Sequence, residues 1–240
     1  MKGFDFPPKF QWDWKLEMLL GKYEKETTKE FKKIIKPGMT VVDIGGHIGY
    51  FTILFSKLVG KRGRVLAFEA DAENYQLLKK NTTGRKNVNI YNVAVSDKSG
   101  EMNFFKTINK TGSHSLFPSD FRPISITVKA DTLDHLLEEL AVPKVDVIKM
   151  DIEGGEPLAL QGMAKILEQN PDIVIIMEFS VMNLKVAGYD PLQILQSLSD
   201  KGFAVRAIED NKLLAVTRET IAWVEAKNNS YVNILVSRKV

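Results

Sequence analysis

Short apolar runs that favour β-strands alternate along most of this chain with longer segments of helical periodicity. The β-branched and aliphatic runs fall at 40–44, 64–68, 88–93, 145–150 and 173–178. Apolar residues with helical spacing fill 48–59, 72–81, 133–140, 157–167 and 191–200. Because a helix is the usual crossover between parallel strands, this alternation predicts an α/β fold, in which helices cover both faces of a parallel sheet.

Two segments depart from this alternation, an insertion before the fourth strand and a C-terminal pair of strands that completes the predicted sheet. Strand-like runs at 102–106 and 124–129 are separated by a loop rich in glycine, serine, proline and asparagine. The absence of a helical pattern between them indicates an antiparallel insertion before the fourth strand of the main sheet. Further strands are predicted at 203–208 and 231–236. The expected sheet therefore has seven strands and is mostly parallel.

Residues 1–38 are expected to form a helical extension that packs on a core made by residues 39–240. Apolar residues recur with helical spacing from 15 to 35, before Pro37 and Gly38 end the pattern. The opening segment is dense in aromatic residues, namely Phe4, Phe6, Phe10, Trp12 and Trp14. We expect these rings to pack onto the core, because aromatic side chains contribute mainly through the area they bury. The alternatives are a lid, a substrate wall or a dimer contact.

Composition excludes several classes of site and partner. The 240 residues include no cysteine, which rules out disulfides, zinc–thiolate sites and cysteine nucleophiles. The formal charge of +3 comes from interspersed residues of both signs, and it does not point to nucleic acid or an anionic membrane. No apolar run reaches the ~18 residues needed to span a bilayer. We expect a cytoplasmic protein, and the composition leaves its oligomeric state open.

A glycine-rich turn follows the first predicted strand. Asp43 lies in the last part of that strand, and the turn contains Gly45, Gly46, His47 and Gly49. Glycines at such a turn let a ligand approach the backbone, and the N-terminus of the next helix offers N–H groups. The segment therefore predicts a site for a nucleotide-like ligand. Tight packing of the strand against the helix is the alternative explanation.

A carboxylate occurs where the ribose of an adenosine ligand would need one. Glu69 follows Asp43 by 26 residues and comes directly after the second predicted strand, the position from which an acid binds ribose hydroxyls in α/β folds. The dinucleotide pattern is not met, since Gly45 and Gly49 are four residues apart, and no phosphate-binding Gly-Lys-Ser/Thr follows. An acid beside the turn suits the ammonium and sulfonium of S-adenosylmethionine better than a pyrophosphate. Glu69 would alternatively stabilise the N-terminus of the following helix.

The fourth predicted strand leads directly into a cluster of charges. Lys149, Asp151 and Glu153 are spaced two apart, so on a continuing strand they would share one face and converge on a pocket. A carboxylate there can remove or orient the proton of a hydroxyl acceptor while the site aligns the reacting atoms. The alternatives are an ion pair of Lys149 with a carboxylate, and a capping role for Glu153 or Glu156.

Metal ligands and histidines give weaker signals. Asp151, Glu153 and Glu178 offer oxygen ligands for Mg²⁺ or Ca²⁺, but their spacing does not resemble a dedicated cation loop, so we predict no metal site. His114 lies on the long middle loop and is a candidate base near neutral pH. A surface histidine without a catalytic role is the alternative.

As a set, these motifs resemble the FkbM family of S-adenosylmethionine-dependent methyltransferases. The resemblance is carried by residues 43–49, Phe68 and Glu69, Asn74, Asn81, 92–97, 113–115 and 148–156. It extends from about residue 40 to residue 178. The pattern Lys-x-Asp-x-Glu-Gly-x-Glu makes the set specific, because it is unusual among Rossmann-like enzymes. Gly46 and His47 stand where the family more commonly has Ala-Asn, which leaves the local donor contacts open.

The resemblance implies a Rossmann-like Class I methyltransferase fold. It also implies, most often, O-methylation of a hydroxyl on a sugar, lipid or polyketide-like molecule. By the same resemblance Asp43, the turn glycines and Glu69 hold the methyl donor, and we add the adjoining Ala70 to that pocket. Ala94 and Val95 are expected near the adenine.

Three other functions compete with this hypothesis. A methyltransferase of RNA ribose or another macromolecule would share the donor pocket, although the chain has no basic stripe interleaved with aromatic residues. A non-catalytic adenosyl-binding protein would keep Asp43 and Glu69 but would tolerate neutral residues at 151 and 153. A dinucleotide-dependent oxidoreductase is disfavoured by the glycine spacing. The expected acceptor is therefore a small molecule, a glycan or a lipid-like compound.

Overall fold

The computed structural model describes residues 4–8, 10–108, 110–226 and 231–238, and strands and helices alternate through these ranges. The strands are β1 (Thr40–Ile44), β2 (Arg64–Phe68), β3 (Val88–Tyr91), β4 (Ala94–Val95), β5 (Gly100–Lys106), β6 (Ile124–Asp131), β7 (Val147–Met150), β8 (Val174–Ser180), β9 (Ala204–Glu209), β10 (Lys212–Ala215) and β11 (Tyr231–Ser237). The helices are α1 (Trp12–Leu20), α2 (Lys25–Ile34), α3 (Tyr50–Val59), α4 (Ala72–Asn81), α5 (Leu133–Glu139), α6 (Glu156–Gln161), α7 (Ala164–Gln169), α8 (Val181–Val186), α9 (Pro191–Asp200) and α10 (Arg218–Ala226).

The main sheet is mixed and has eight strands in the order β10-β9-β11-β8-β7-β1-β2-β3. Strands β3, β2, β1, β7 and β8 run parallel, as the alternating pattern predicts. Strand β11 is antiparallel to both β8 and β9, and β10 is antiparallel to β9. The predicted count of seven strands is wrong, because β10 adds an eighth strand at one edge. The sequence of β10, Lys-Leu-Leu-Ala, lacks the apolar alternation that marks a half-buried strand. All four of its residues are exposed.

The predicted antiparallel insertion forms a second sheet of three strands, in the order β4-β6-β5. Strands β5 and β6 are antiparallel, whereas the short β4 pairs with β6 in parallel. The β5–β6 loop (residues 107–123, with 109 outside the described ranges) folds back onto β5. There Ser115 exchanges two backbone hydrogen bonds with Phe105. This contact places the middle of the loop against β5.

The N-terminal helical pattern, which predicts one or two helices, forms two, and one further predicted helix is divided in two. The helical pattern at 15–35 becomes α1 and α2, since Gly21 adopts a left-handed conformation with φ +69° and ends α1. The pattern at 157–167 becomes α6 and α7. The break includes Gly162, which lies close to Ser96. A Cβ added to Gly162 would lie 1.9 Å from the backbone oxygen of Ser96. Helices α8 and α10 have no predicted counterpart.

Buried apolar side chains cover both faces of the main sheet. Val42, Ile44 and Ile148 belong to one cluster, and Val41 and Val147 belong to a second, as expected for parallel strands buried on both sides. The second cluster also contains Met18 of α1 and Phe31 of α2, so the N-terminal helices share the core of the sheet. A domain division at residue 38 stays a prediction. Within the described ranges, no helix is long and apolar enough to cross a membrane.

Candidate active site

A cavity of about 920 Å³ opens at the carboxyl ends of β1, β2, β7 and β8. Strand order reverses between β1 and β7, and α/β folds bind ligands at such a switch point. The volume lies near the upper end of the range of about 300–1,000 Å³ that is typical of ligand pockets. The predicted site residues that line the cavity are Gly45, His47, Glu69, Ala70, Ala94, Val95, His114, Asp151 and Glu153.

The remaining predicted residues are described by the structure but do not line the cavity; these are Asp43, Gly46, Gly49 and Lys149. Gly46 and Gly49 instead allow α4 to pack closely. An added Cβ on Gly46 would lie 3.0 Å from a methyl group of Leu78, and one on Gly49 would lie 2.9 Å from another. The packing explanation therefore accounts for two of the turn glycines.

Gly45 allows the turn after β1 to touch the turn after β7. Its φ is +79°, and an added Cβ would lie 2.1 Å from the backbone oxygen of Asp151. The N–H groups of Gly45 and Gly46 both donate to the backbone oxygen of Phe68, at 2.9 and 3.0 Å. The N–H group of His47 donates to Glu69. The turn thus differs from the expectation of free N–H groups, because these three already have partners within the protein.

Glu69 is buried at the end of β2 and connects two backbone segments. Its carboxylate accepts hydrogen bonds from the N–H of His47 at 2.7 Å and from the N–H of Asp71 at 3.0 Å. Burial raises the pKa of Glu69 to about 7. Asp71 provides the N-cap of α4, where it accepts from Glu73 and Asn74. The helix-stabilising role considered for Glu69 therefore belongs to Asp71.

Asp43 and Lys149 form a buried pair on adjacent strands. Their register in β1 and β7 is direct, and the Lys149 Nζ lies 3.8 Å from Asp43 Oδ1 and 3.3 Å from Asp151 Oδ2. Thr52 donates to Asp43 Oδ2 at 2.5 Å. Burial alone would lower the pKa of Lys149, but the carboxylates of Asp151 and Asp43 outweigh it and raise that pKa. The ion pair considered for Lys149 is thus the arrangement observed.

The face predicted for Lys149, Asp151 and Glu153 does not extend through all three residues, because β7 ends at Met150. Glu153 lies in a turn with φ +56°, a conformation that costs free energy in a residue with a side chain. Glu156 holds this turn, since its carboxylate accepts from the N–H groups of Ile152 and Gly154 at 3.0 and 2.9 Å. The capping role considered for Glu156 therefore takes the form of supporting the backbone around Glu153.

The carboxylate of Glu153 is fixed by two side chains. Asn183 donates to its Oε2 at 2.6 Å, and the Arg122 Nη2 lies 3.5 Å from the same oxygen. Ser115 donates to the backbone oxygen of Glu153 at 2.7 Å, which ties the β5–β6 loop to the turn. Burial and the charge of Asp151 raise the pKa of Glu153. Glu153 is consequently a held carboxyl group rather than an open one.

Carboxylates gather at one end of the cavity. Ligand oxygens of Asp151, Glu153 and Glu178 lie within 4.8 Å of one another, and Glu24 lines the same cavity. Burial raises the pKa of Glu178 and raises that of Glu24 to about 7. The three-carboxylate geometry is compatible with a cation, whereas the spacing argument predicts none, and that prediction stays untested.

His114 is buried against the cavity instead of lying on the surface. Its Nδ1 accepts a hydrogen bond from the N–H of Thr107 at 3.1 Å, so the hydrogen-bond pattern assigns the proton of the neutral ring to Nε2. Burial lowers the pKa of His114 to about 4. The ring is therefore neutral at pH 7, and it is a weak base there.

The asparagines of the family pattern hold the segments that surround the glycine turn. Asn74 donates to the backbone oxygen of Thr111 at 2.9 Å, and Thr111 Oγ1 lies 2.9 Å from His47 Nε2. Asn81 donates to the backbone oxygens of Asp5 and Ile48. The β5–β6 loop and the N-terminal segment are thus both anchored beside the turn.

The N-terminal aromatic residues contact one another, Phe4, Phe6 and Phe10 also pack against the second core cluster, and one ring reaches the cavity. Ring contacts at 4.8 to 6.2 Å connect Phe4, Phe6, Phe10, Trp14 and Tyr23 in that order. Trp14 also lines the cavity, which fits the wall considered as an alternative. Trp12 is 68% exposed and does not share this packing.

Several cavity residues are not predicted from the sequence. They are Tyr23, Glu24, Arg122, Asn183, Tyr231 and Asn233. No local motif marks them. Glu24 accepts from the side chain of Asn233 at 3.0 Å across a separation of 209 residues. Such contacts depend on the order of the strands in the sheet, which a local motif does not give.

Comparison with known proteins gives a consistent picture. The model of the methyltransferase FkbM domain matches residues 43–205, more than half of the chain. The hexuronic acid methyltransferase AglP of Haloferax volcanii is 27% identical over 172 residues, which make up 71% of this chain. The matched region spans 65% of that relative, slightly less than two thirds of its length.

Two solved structures show the same fold. Precorrin-6y C5,15-methyltransferase from Geobacter metallireducens has a TM-score of 0.53 at 13% identity, covering 90% of this chain and 88% of its own. Fibrillarin from Aeropyrum pernix, with natively bound S-adenosyl-L-methionine, has a TM-score of 0.52 at 12% identity. The match covers 88% of this chain and 74% of the fibrillarin chain. At these identities the likeness concerns the fold alone.

Proposed function

The chain belongs to the FkbM family of S-adenosylmethionine-dependent methyltransferases, and from that premise we propose that it methylates a hydroxyl of a sugar-like acceptor. The observation that carries the proposal is the exposure of Asp151 at the cavity. Asp151 lines the cavity and its side chain is 31% exposed, whereas that of Asp43, the other carboxylate near Lys149, is fully buried. The name of the relative AglP, a hexuronic acid methyltransferase, supports a sugar as the acceptor.

The residues at the β1 and β2 ends fit the methyl donor. The carboxylate of Glu69 is the group that we assign to the ribose hydroxyls, and the buried Ala94 and Val95 offer an apolar surface for the adenine. Gly45 lines the cavity at the point where the turn after β1 touches the backbone of Asp151. When bound, S-adenosylmethionine supplies an electrophilic methyl group on a positively charged sulfur.

Asp151 is the residue that we assign to the acceptor proton. One oxygen of Asp151 lies 3.3 Å from Lys149, and among the described residues no hydrogen bond uses the other oxygen. Glu153 is less suitable, because Asn183 and Arg122 already hold its carboxylate. We therefore assign Asp151 to accept the hydroxyl proton, and Lys149 to hold the carboxylate in place.

Replacement of Glu69 by glutamine tests the donor pocket. We expect S-adenosylhomocysteine to bind the variant about 10- to 100-fold more weakly, because a carboxylate that accepts hydroxyl donors is worth roughly 1.5–3 kcal/mol. Calorimetric titration measures the effect, with Glu101→Gln, at an exposed position of β5, as the matched control and NAD and ATP as comparison ligands. Equal binding by Glu69→Gln, or equally strong binding of NAD, would overturn the assignment.

Donor binding is expected to depend on pH through the same carboxyl group. The pKa of Glu69 is about 7 in the free protein, and ribose hydroxyls that donate to the carboxylate favour its ionised form. Binding should therefore release a proton below pH 7, so that affinity for S-adenosylhomocysteine rises from pH 6 to pH 8 and then levels off. Titrations at several pH values, in two buffers of different ionisation enthalpy, measure the released protons. An unchanged pH dependence in Glu69→Gln would assign the effect to another group.

A further inference from the structure

The Lys and Arg side chains that line the cavity both come from the β5–β6 loop. The strand-end side carries the carboxylates of Asp151 and Glu178, which lie at the ends of β7 and β8. The loop side carries Arg122 and Lys110 together with the carboxylate of Asp120, all from the β5–β6 loop. A ligand between the two sides meets hydrogen-bond acceptors for hydroxyl groups on one side and positive charge on the other.

Arg122 is held in a defined position on the loop side. It is only 6% exposed, although arginine is rarely buried unless it is paired. Its Nε donates to the backbone oxygen of Ser113 at 2.8 Å, and its Nη2 donates to Asn183 Oδ1 at 3.2 Å. Within the described ranges no hydrogen bond uses Nη1. The guanidinium is therefore fixed through one edge and retains unused donors.

The positive charge of Arg122 is incompletely balanced. Among the described residues its ion-pair partner is Glu153, at 3.5 Å, whereas close N⁺–H···O⁻ bonds measure about 2.7–2.9 Å. Glu153 is bonded more closely by Asn183, at 2.6 Å. Burial also raises the pKa of Glu153, which favours its neutral form. The pair thus leaves room for another anionic group next to the guanidinium.

We propose that Arg122 binds a carboxylate of the acceptor, so that the acceptor is a uronic acid whose hydroxyl groups face Asp151. The planar fork of an arginine matches a carboxylate through two parallel hydrogen bonds. A uronic acid carries a carboxylate and several hydroxyl groups on one small ring, which corresponds to a cavity with Arg122 on its loop side and the carboxylates of Asp151 and Glu178 on its strand-end side. This inference rests on the proposed function and adds to it the group by which the acceptor is recognised.

The carboxylate of the donor's methionine part is the competing ligand for Arg122, and the test separates the two. The probes are the methyl glycosides of glucuronic acid and galacturonic acid, each paired with the corresponding neutral hexoside. They are titrated into the complex with S-adenosylhomocysteine, so that binding is measured without turnover. We expect at least one uronide to bind at least about tenfold more tightly than its neutral partner.

Arg122→Gln is expected to remove this preference while S-adenosylhomocysteine affinity stays within about twofold, and Arg122→Lys should retain part of it. Lys129→Gln, on the exposed face of β6, is the matched control. Thermal unfolding checks that each variant folds. If Arg122→Gln does not fold, the preference of the unaltered protein for uronides over neutral hexosides decides whether the inference holds.

Equal binding of uronides and neutral hexosides by the unaltered protein, or no binding of either uronide, overturns the inference. If Arg122→Gln weakens the binding of S-adenosylhomocysteine as much as it weakens the binding of the uronide, Arg122 belongs to the donor site instead. Failure of the proposed function would show separately, as no binding of S-adenosylhomocysteine by the unaltered protein.

Discussion

Asp151→Asn is expected to lower kcat for methyl transfer by about 10²- to 10⁴-fold, the usual contribution of a positioned base. Asparagine keeps the shape of the side chain but cannot accept the hydroxyl proton from the acceptor. The Asp151 carboxylate lies 3.3 Å from Lys149, and an amide oxygen can keep that hydrogen bond. The loss should therefore appear in kcat, with little change in the affinity for S-adenosylhomocysteine.

Single-turnover methyl transfer and calorimetry on the same preparation separate the two effects. Asp200→Asn, at an exposed position of α9, removes a carboxylate that does not line the cavity and is the matched control. A kcat within threefold of the unaltered protein would show that another group accepts the proton. A parallel loss of donor binding would instead show that Asp151 mainly holds Lys149 and the end of β7.

Gly45→Ala is expected to abolish measurable donor binding and to lower the free energy of unfolding by several kcal/mol. The new Cβ would lie 2.1 Å from the backbone oxygen of Asp151, and backbone at a buried strand end cannot yield as a flexible side chain does. The residue would also have to keep a φ of +79°, which costs about 1–2 kcal/mol in a residue with a side chain. Overlap and strain therefore add at this position.

Gly84→Ala separates those two contributions. Gly84 has a φ of +81°, and an added Cβ there would have no neighbour within 4 Å. This control should lose only about 1–2 kcal/mol and should bind S-adenosylhomocysteine normally. Denaturant unfolding and calorimetry measure both variants. Equal losses in the two would mean that the contact between Gly45 and Asp151 does not constrain the fold.

The parallel core of the sheet is predictable because its signals are local. The runs that become β1 and β2 are short and mainly apolar, and glycine turns or charges bound them. The break between α6 and α7 is not predictable in this way, since it accompanies the contact of Gly162 with Ser96. The exposed β10 lacks apolar alternation and depends on pairing with β9.

The candidate site also contains both residues that local sequence signals predict and residues that they do not. Glu69 and Asp151 lie where the rule about strand ends places them, and both line the cavity. Asp43 and Lys149 belong to the same motifs, yet their side chains pair with each other in the interior. A motif gives the position of a residue along the chain but not the direction of its side chain. Arg122 has no motif, and its contact with Asn183 spans 61 residues.

The close approach of Gly45 to Asp151 has a consequence for protein engineering. Because the two turns touch through their backbones, a library that varies either turn should lose donor affinity and proton transfer together. Side chains at the cavity mouth come from other segments: Phe121 from the β5–β6 loop, and Met182 and Val186 from α8. They are 77%, 49% and 47% exposed, respectively. We expect substitutions at these three positions to change acceptor preference while the contact between Gly45 and Asp151 stays intact.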